Sequence, residues 1–506
     1  MSISTYCENM PMSSVVKFVG RDPILWSLHQ QLQQNHQVAL VGMAGIGKTE
    51  LAIQYAKQYL DDYPGGVCWL LANIGDVGLQ VVEFAKAHFS ITLPERLTLK
   101  EQVDYCWHNW PLETAVKQEV LIVLDDVTDY QQLVPYLPSH SARFNVLITT
   151  RIPELVPLQQ QLSLEVLNTE ASLELLASWI GKDRIKNTRG KGFVVNAVRK
   201  QSQQEGMTQT AAEQLCEWLG YLPLGLELVG RYLEQQPNLS LEKILLRLQK
   251  QPQVPLSLNQ AEKEPRENLT AQRGVAAALE LSWKRLDADS QQLGWLLSIF
   301  ALAPIPWEQV ESVLGQQYLP GALLGQLLSH SEDAEAEIEN LISTLKADWE
   351  RRRETLVTLH LLQRTNAVTY HLHPLVRVFL QQKLEASEQA EDLKQTFCQV
   401  MVAVAKQISD SLTAELMAAV TPAIPHVAET ATNLSAFLND EELLLPFYGL
   451  GNFYQGQGCY EQAESWFQQC LLIVRDRLGE DHLDVAISLN NLAGLYEAQK
   501  RYAEAE

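Results

Sequence analysis

Glycine, lysine and threonine stand at fixed places in Gly42-Met43-Ala44-Gly45-Ile46-Gly47-Lys48-Thr49. The pattern G-x-x-x-x-G-K-[ST] builds a phosphate cradle. Its glycines let the backbone curl so that successive N–H groups point inward at phosphate oxygens. The helix that follows adds the partial positive charge of its N-terminus. Lys48 brings a full charge toward the β- and γ-phosphates, and the Thr49 hydroxyl is a ligand for Mg²⁺. The expected nucleotide contacts on this loop are Gly42, Ala44, Gly45, Ile46, Gly47, Lys48, Thr49 and Glu50. A second chemical group closes an apolar run: Val120–Leu124 ends in Asp125-Asp126. Asp125 is expected to hold Mg²⁺ through water, and Asp126 to orient or deprotonate an attacking water. A third run, Val146–Thr149, delivers Arg151 to the edge where ligands bind in open α/β sheets. There Arg151 either reports the γ-phosphate or closes a surface salt bridge.

These groups need a rigid sheet behind them. From Lys17 to about Leu164, apolar runs alternate with helical patterns, the mark of a parallel α/β sheet. The runs Val38–Val41, Val67–Leu71, Val120–Leu124 and Val146–Thr149 are nearly all apolar, as strands covered on both faces must be. Leu51, Tyr55 and Tyr59 recur at i, i+4, i+8 behind the phosphate loop, and so give its helix one packing face. Thr169–Ile180 and Thr208–Glu234 read as further helices. Between them Lys182, Arg184, Lys186, Arg189, Lys191, Arg199 and Lys200 face only Asp183. This stretch reads as a solvated insertion rather than an anion-docking loop.

Pro252, Pro255 and Pro265 mark a linker. Helices followed by a short strand pair, Val357–Leu362 and Ala367–His371, predict a winged-helix module. Near the end the chain repeats itself. Leu450-Gly451-Asn452-Phe453-Tyr454 aligns with Leu492-Ala493-Gly494-Leu495-Tyr496, 42 residues on, and Tyr460–Glu464 aligns with Tyr502–Glu506. A leucine, small residues and aromatics at these spacings resemble the tetratricopeptide helix-turn-helix repeat. The second copy breaks off inside its second helix, which predicts further repeats beyond Glu506. The expected organisation is a tail over 1–16, a P-loop nucleotide-binding domain over 17–165 and a helical subdomain over 166–250. A winged-helix-like domain over 268–384, a helical connector over 385–440 and an all-α tetratricopeptide solenoid over 441–506 follow.

The chain has 506 residues, 46% hydrophobic and 20% charged, with 39 basic against 61 acidic side chains and a net charge of −22. So acidic a chain repels a phosphate backbone, which disfavours nucleic acid as a partner. Seven cysteines form no C-x-x-C pair, and their odd number fits free thiols in a reducing cytoplasm. Residues Met1–Phe18 lack a basic segment followed by an apolar stretch, so no signal peptide is expected. No apolar run approaches the length of a membrane span. The sixteen residues before Lys17 are too few for an effector domain.

The order of motifs resembles one family. Phe18-Val19-Gly20-Arg21-Asp22 resembles the Gly-Arg motif ahead of the P-loop in NB-ARC domains, within the signal-transduction ATPases with numerous domains. Leu124-Asp125-Asp126-Val127 and Ile148-Thr149-Thr150-Arg151 resemble the next two motifs. Tyr221-Leu222-Pro223-Leu224-Gly225-Leu226 is similar to the Gly-Leu-Pro-Leu motif, and Tyr370-His371-Leu372-His373-Pro374 to the Met-His-Asp motif. The resemblance implies that Val19 and Arg21 bind the adenine side and that Pro223 packs against the nucleotide. It also implies that His373 touches the β-phosphate of ADP and locks a closed state. Leu372 stands in place of methionine and Pro374 in place of aspartate, so the latch lacks that carboxylate. The resemblance implies a cytoplasmic ATP/ADP switch that needs Mg²⁺, hydrolyses ATP slowly if at all, and self-associates when ATP and a protein or peptide ligand are bound. A metabolic P-loop ATPase and a winged-helix DNA-binding regulator are the alternatives. The latter requires a basic recognition helix, whereas Ser331–Glu337 is acidic and Arg351-Arg352-Arg353 is the nearby basic cluster.

Overall fold

In the computed structural model the described residues are 8–13, 15, 17–73, 75–94, 97–111, 119–138, 143–152, 161–186, 209–251, 266–318, 334–408 and 413–505. The linker prolines, Cys7, Arg189, Lys191, Arg199, Lys200 and Ser331 lie outside them. Strands β1 (Gln37–Val41), β2 (Val67–Leu71), β3 (Val120–Val127), β4 (Phe144–Thr150) and β5 (Gln161–Ser163) form one sheet in the order β2-β3-β4-β1-β5. All its pairings are parallel. Every residue of β4 is buried, so both faces of the sheet are covered there. Helix α1 (Asp22–Asn35) precedes β1, and α2 (Lys48–Gln58) leaves its C-terminal edge. Helices α3 (Val77–Phe89) and α4 (Leu99–His108) lie between β2 and β3 in sequence. The start of the described chain is not a detached tail. Glu8 bridges Val67 in parallel, and the Asn9 amide exchanges two hydrogen bonds with the backbone of Trp69, at 2.6 and 2.8 Å, along the open edge of β2.

The pairing of β3 with β4 slips between Leu124 and Val127. Leu124 faces Ile148 and Val127 faces Thr150, so two acids, Asp125 and Asp126, oppose the single Thr149. Such a bulge re-aims side chains at a strand end. Asp126 takes a left-handed φ of 57° there.

Helices α5 (Thr169–Ile180), α6 (Lys182–Lys186), α7 (Ala211–Trp218), α8 (Pro223–Glu234) and α9 (Leu241–Gln249) follow. The single helix expected over Thr208–Glu234 is two. Gly220 and Tyr221, with φ of 64° and 53°, end α7, and Pro223 opens α8, where its missing N–H costs nothing. A capping box of Thr210 and Glu213 starts α7. Arg184 is no part of a free basic surface. Its guanidinium donates to the carbonyls of Leu233, Gln236 and Leu239 at 2.9, 2.9 and 2.5 Å, in the last turn of α8 and just beyond it.

The next module combines α10 (Arg266–Trp283), α11 (Ala288–Ile299), α12 (Trp307–Tyr318), α13 (Ala334–Thr358) and α14 (Pro374–Glu385) with a small antiparallel sheet. Its strands β6 (Ile305–Pro306), β7 (Gln363–Arg364) and β8 (Thr369–His371) run in the order β6-β8-β7, a winged-helix arrangement. The strand expected over Val357–Leu362 is instead the end of α13 and a left-handed turn at His360, with φ of 60°. Leu359, Leu361 and Leu362 are buried there, and a short apolar run of this kind carries no period that separates strand from turn. The arginine cluster is spent internally. Arg351 pairs with Asp287 and Asp348, Arg352 with Asp348 and Asp289, and Arg353 with Glu350 and Glu354 while stacked over Trp307.

Helices α15 (Ala390–Ala405), α16 (Ala414–Val420), α17 (Ile424–Asn433), α18 (Leu445–Gly456), α19 (Tyr460–Leu478), α20 (Leu483–Ala498) and α21 (Tyr502–Ala505) complete the described chain. The starts of α19 and α21 stand 42 residues apart, the offset of the sequence repeat. A Cβ on Gly451 would lie 2.2 Å from Cε1 of Phe467, so α18 and α19 approach closely through that glycine. Glu464 receives the Tyr496 hydroxyl at 3.0 Å and pairs with Arg501 at 2.6 Å, tying the second copy to the first. Among the described residues the six cysteines are buried and unpaired with one another, and no helix is long and apolar enough to cross a membrane.

Candidate phosphate and metal site

The loop after β1 curls through Gly45 and Gly47, whose φ values of 78° and 96° suit glycine alone among ordinary residues. Gly47 is the N-cap of α2, so the first turn of that helix opens toward the loop. The Lys48 ammonium donates to the carbonyls of Gly42 and Met43 at 2.7 and 3.0 Å and is held over the loop. Burial pulls it down to about 8, and Arg151 acts the same way, against Asp126 and Asp125. Glu50 turns its carboxylate away, accepting from Ser13 and Gln54 at 2.6 and 2.7 Å, so only its backbone N–H faces the loop side of the helix.

Asp125 is 7% exposed and its Oδ1 accepts two hydroxyls, Thr49 at 2.9 Å and Thr149 at 2.6 Å. Burial raises its carboxyl, while those two hydrogen bonds and Lys48 oppose the rise. One carboxylate beside a helix-borne hydroxyl is a hard oxygen donor set, which fits Mg²⁺ completed by phosphate oxygens and water. The same Thr149 hydroxyl accepts from the Asp126 N–H at 2.9 Å. Asp126 points the other way. Arg151 grips it with Nε at 3.1 Å from Oδ1 and Nη2 at 3.0 Å from Oδ2, and Asn73 donates to Oδ2 at 2.9 Å. Of the two sequence readings of Arg151, the salt bridge is the one formed in this structure.

Three other segments carry predicted site residues, and one of them touches the loop. Val19 and Arg21 are buried at the start of α1, and Arg21 donates to the Glu165 carbonyl at 2.5 Å. The Leu224 N–H behind Pro223 donates to the Gly45 carbonyl at 3.3 Å, so the start of α8 lies directly on the phosphate loop. His373 caps α14, its Nδ1 accepting the Leu375 N–H at 3.2 Å. A neutral imidazole that accepts at Nδ1 carries its proton on Nε2, so a donor is left for an acceptor in the cleft. Burial lowers His373 to about 3, with His371, Lys48, His360 and Arg151 adding to the fall. Burial lowers His371 to about 4 against the pull of Asp126. Both imidazoles therefore lie within electrostatic reach of the phosphate site.

Sequence reasoning passed over His371, Thr149 and Asn73. His371 and Thr149 belong to motifs quoted for their neighbours. Asn73 carries no spacing signal, because it meets Asp126 across two adjacent strand ends.

Residues 22–186 match the NB-ARC domain family, and residues 442–506 match a tetratricopeptide repeat family. No curated protein sequence matches the chain. Among solved structures it is similar to a signal transduction ATPase with numerous domains that carries a tetratricopeptide repeat sensor, from Pyrococcus horikoshii. That likeness has 15% identity and a TM-score of 0.46, covering 98% of this chain and 64% of the other. It is also similar to a Walker-type ATPase of Pyrococcus abyssi, at 12% identity and a TM-score of 0.31, covering 74% of this chain and 99% of the other. A Cdc6p of Pyrobaculum aerophilum shares 13% identity at a TM-score of 0.32, covering 73% and 95%. These structural likenesses are distant, and the chain spans 64% of the length of the first of them. By these matches the chain carries an NB-ARC domain over 22–186 and tetratricopeptide repeats over 442–506.

Proposed function

We propose that the protein is an ATP/ADP-dependent signalling switch, closed with ADP and able to self-associate once ATP and a protein or peptide ligand on the repeats are bound. The observation that supports this reading is convergence. The start of α8 hydrogen-bonds the phosphate loop, and two histidines beside α14, from another part of the chain, lie within electrostatic reach of Lys48, Asp126 and Arg151. A plain hydrolase needs no such assembly. A switch does, because a ligand shifts a two-state equilibrium only by binding one state better than the other.

In this reading the backbone N–H groups from Gly42 to Glu50 and the Lys48 ammonium bind the phosphates. Thr49 and Asp125 hold Mg²⁺, which when bound neutralises phosphate charge. His373 donates from Nε2 to the β-phosphate side and so ties the winged-helix module to the loop. Val19 and Arg21 flank the base, and Pro223 fixes the start of α8 against the nucleotide. Release of Arg151 from Asp126 frees the acid for hydrolysis. Asp126 then takes a proton from water as the water oxygen bonds to the γ-phosphorus and the bond to the β-phosphate oxygen breaks, leaving ADP and phosphate. With Asp126 occupied as it is here, turnover is slow and serves to reset the switch. Repeat solenoids offer extended surfaces for protein ligands, which is the reason for assigning the ligand to 442–506.

The test is the nucleotide carried through purification. Chromatography of the denatured wild type should release ADP in near-equal amount to the protein. Lys48→Ala should release none and show no affinity for either nucleotide. A wild type that is empty and binds neither ATP nor ADP would end the reading.

A further inference from the structure

Asp126 is held in place by three donors. Its two oxygens accept three N–H groups, two from Arg151 and one from Asn73, and its backbone sits at a left-handed φ. These bonds fix which way the carboxylate points and occupy most of its acceptor positions. Asn73 lies just past β2, whose end is stitched to the bulge by the Ala72 N–H on the Asp125 carbonyl at 2.9 Å. Three residues further on, Asp76 starts α3. Its Oδ1 accepts the N–H groups of Gly78 and Leu79 at 2.7 and 3.3 Å. Its Oδ2 accepts the side-chain amide of Gln462, which lies in the first turn of α19, in the first repeat. The same amide donates to the Tyr136 hydroxyl at 3.2 Å, and the turn before α19 accepts Gln102 on the Gln457 carbonyl at 3.3 Å. Burial at this contact raises the Asp76 carboxyl, so its charge is held there by hydrogen bonds rather than by water.

We propose that Asn73 is a positioning residue for Asp126, and that Gln462 of the first repeat sets its place through Asp76. Docking of the repeat fixes Asp76 at the head of α3, Gln80 of the same helix holds the end of β2 through two hydrogen bonds with the Leu71 backbone at 2.8 and 3.0 Å, and Asn73 just beyond that end helps hold Asp126 in its present position. A ligand that draws the first repeat off α3 thereby releases the acid as well as the interface. This rests on the switch reading for its chemistry, while the mechanical link between Gln462 and the end of β3 stands apart from it.

Gln462→Glu sets a carboxylate against Asp76 and should break the contact. Adding Asp76→Asn restores one donor and one acceptor in reversed order, and an amide oxygen still caps α3. In nucleotide-free protein, hydrogen exchange at the amides of Ala72 and Asp126 should speed in Gln462→Glu and return to the wild-type rate in the double variant. In single-turnover ATP hydrolysis, Gln462→Glu and Asn73→Ala should each raise the rate by about fivefold, the scale of one lost hydrogen bond. ATP affinity should stay unchanged, and the double variant should match wild type. Unchanged exchange in Gln462→Glu, or a double variant no better than the single one, overturns the link. Altered exchange with an unchanged hydrolysis rate overturns the role of Asn73. A wild type without nucleotide affinity removes the switch reading, and the exchange experiment still decides the link.

Discussion

The two histidines within electrostatic reach of the phosphate loop show how single residues report packing. His371 and His373 are lowered to about 4 and about 3, chiefly by burial, from an ordinary value near 6.5. A depressed base is neutral in the closed protein and binds a proton once exposed. Its contribution to stability is complete above the ordinary value and is lost as pH falls toward the depressed one. The melting temperature of nucleotide-free protein should therefore fall as pH drops from about 6.5 toward about 4. His371→Gln with His373→Gln should flatten that slope. His426, buried against the Pro304 carbonyl and lowered to about 4, acts with the same sign outside the cleft, so some slope should remain. An unaltered slope in the double variant would mean that neither imidazole is buried against the site in solution.

Residue chemistry was legible wherever spacing fixes it. The phosphate loop and the Asp125-Asp126 pair follow from what a nucleotide needs at adjacent positions. Their different tasks did not. Only the bulge opposite Thr149 turns one acid toward Thr49 and the other toward Arg151. The pairing of Asp76 with Gln462 joins residues 386 apart through one amide, and no pattern in a single sequence marks that.

Elements were legible in proportion to their period. Four of the five strands of the large sheet appear where their apolar runs predict, and β1, β3 and β4 extend beyond those runs. The 42-residue repeat places α18 with α20 and α19 with α21. The strand expected over Val357–Leu362 but absent there, and the missed break at Gly220-Tyr221, are both places where a left-handed residue ends a helix inside apolar sequence. Within the repeat, sequence shows only that position 451 is small. The structure shows why glycine is needed: Phe467 fills the space a Cβ would take. The second copy has Ala493 at the equivalent place. Gly451→Ala should cost about 1–3 kcal/mol by overpacking, offset by up to about 1 kcal/mol of helix propensity. The urea midpoint should fall in that variant, and Ala493→Gly should lower it only through lost helix propensity, about 1 kcal/mol. A midpoint equal to or above wild type for Gly451→Ala would show that Phe467 moves freely aside.

At the scale of the whole molecule, the winged-helix module and the first helical region are joined by a buried side-chain hydrogen bond. His360, on the left-handed turn after α13, places Nε2 2.7 Å from Oε1 of Glu227 on α8, and both side chains are almost wholly shielded from solvent. Arg231 reaches the same oxygen at 3.3 Å. Because α8 also rests on the phosphate loop, this contact links the module that carries His371 and His373 to the surface that Leu224 presents to Gly45. Removing one partner of a buried charged contact costs about 3–5 kcal/mol, since the other is left unpaired. Much of that cost can be avoided if the modules separate and water reaches His360. Glu227→Ala is therefore expected to open the protein rather than to unfold it. Small-angle scattering should show a larger radius of gyration for this variant without nucleotide, with the far-ultraviolet dichroism unchanged. Glu227→Gln keeps an oxygen facing a protonated Nε2 and should stay closer to wild type. If Glu227→Ala keeps the wild-type radius and only melts at lower temperature, the contact is part of one rigid core and the modules do not part there.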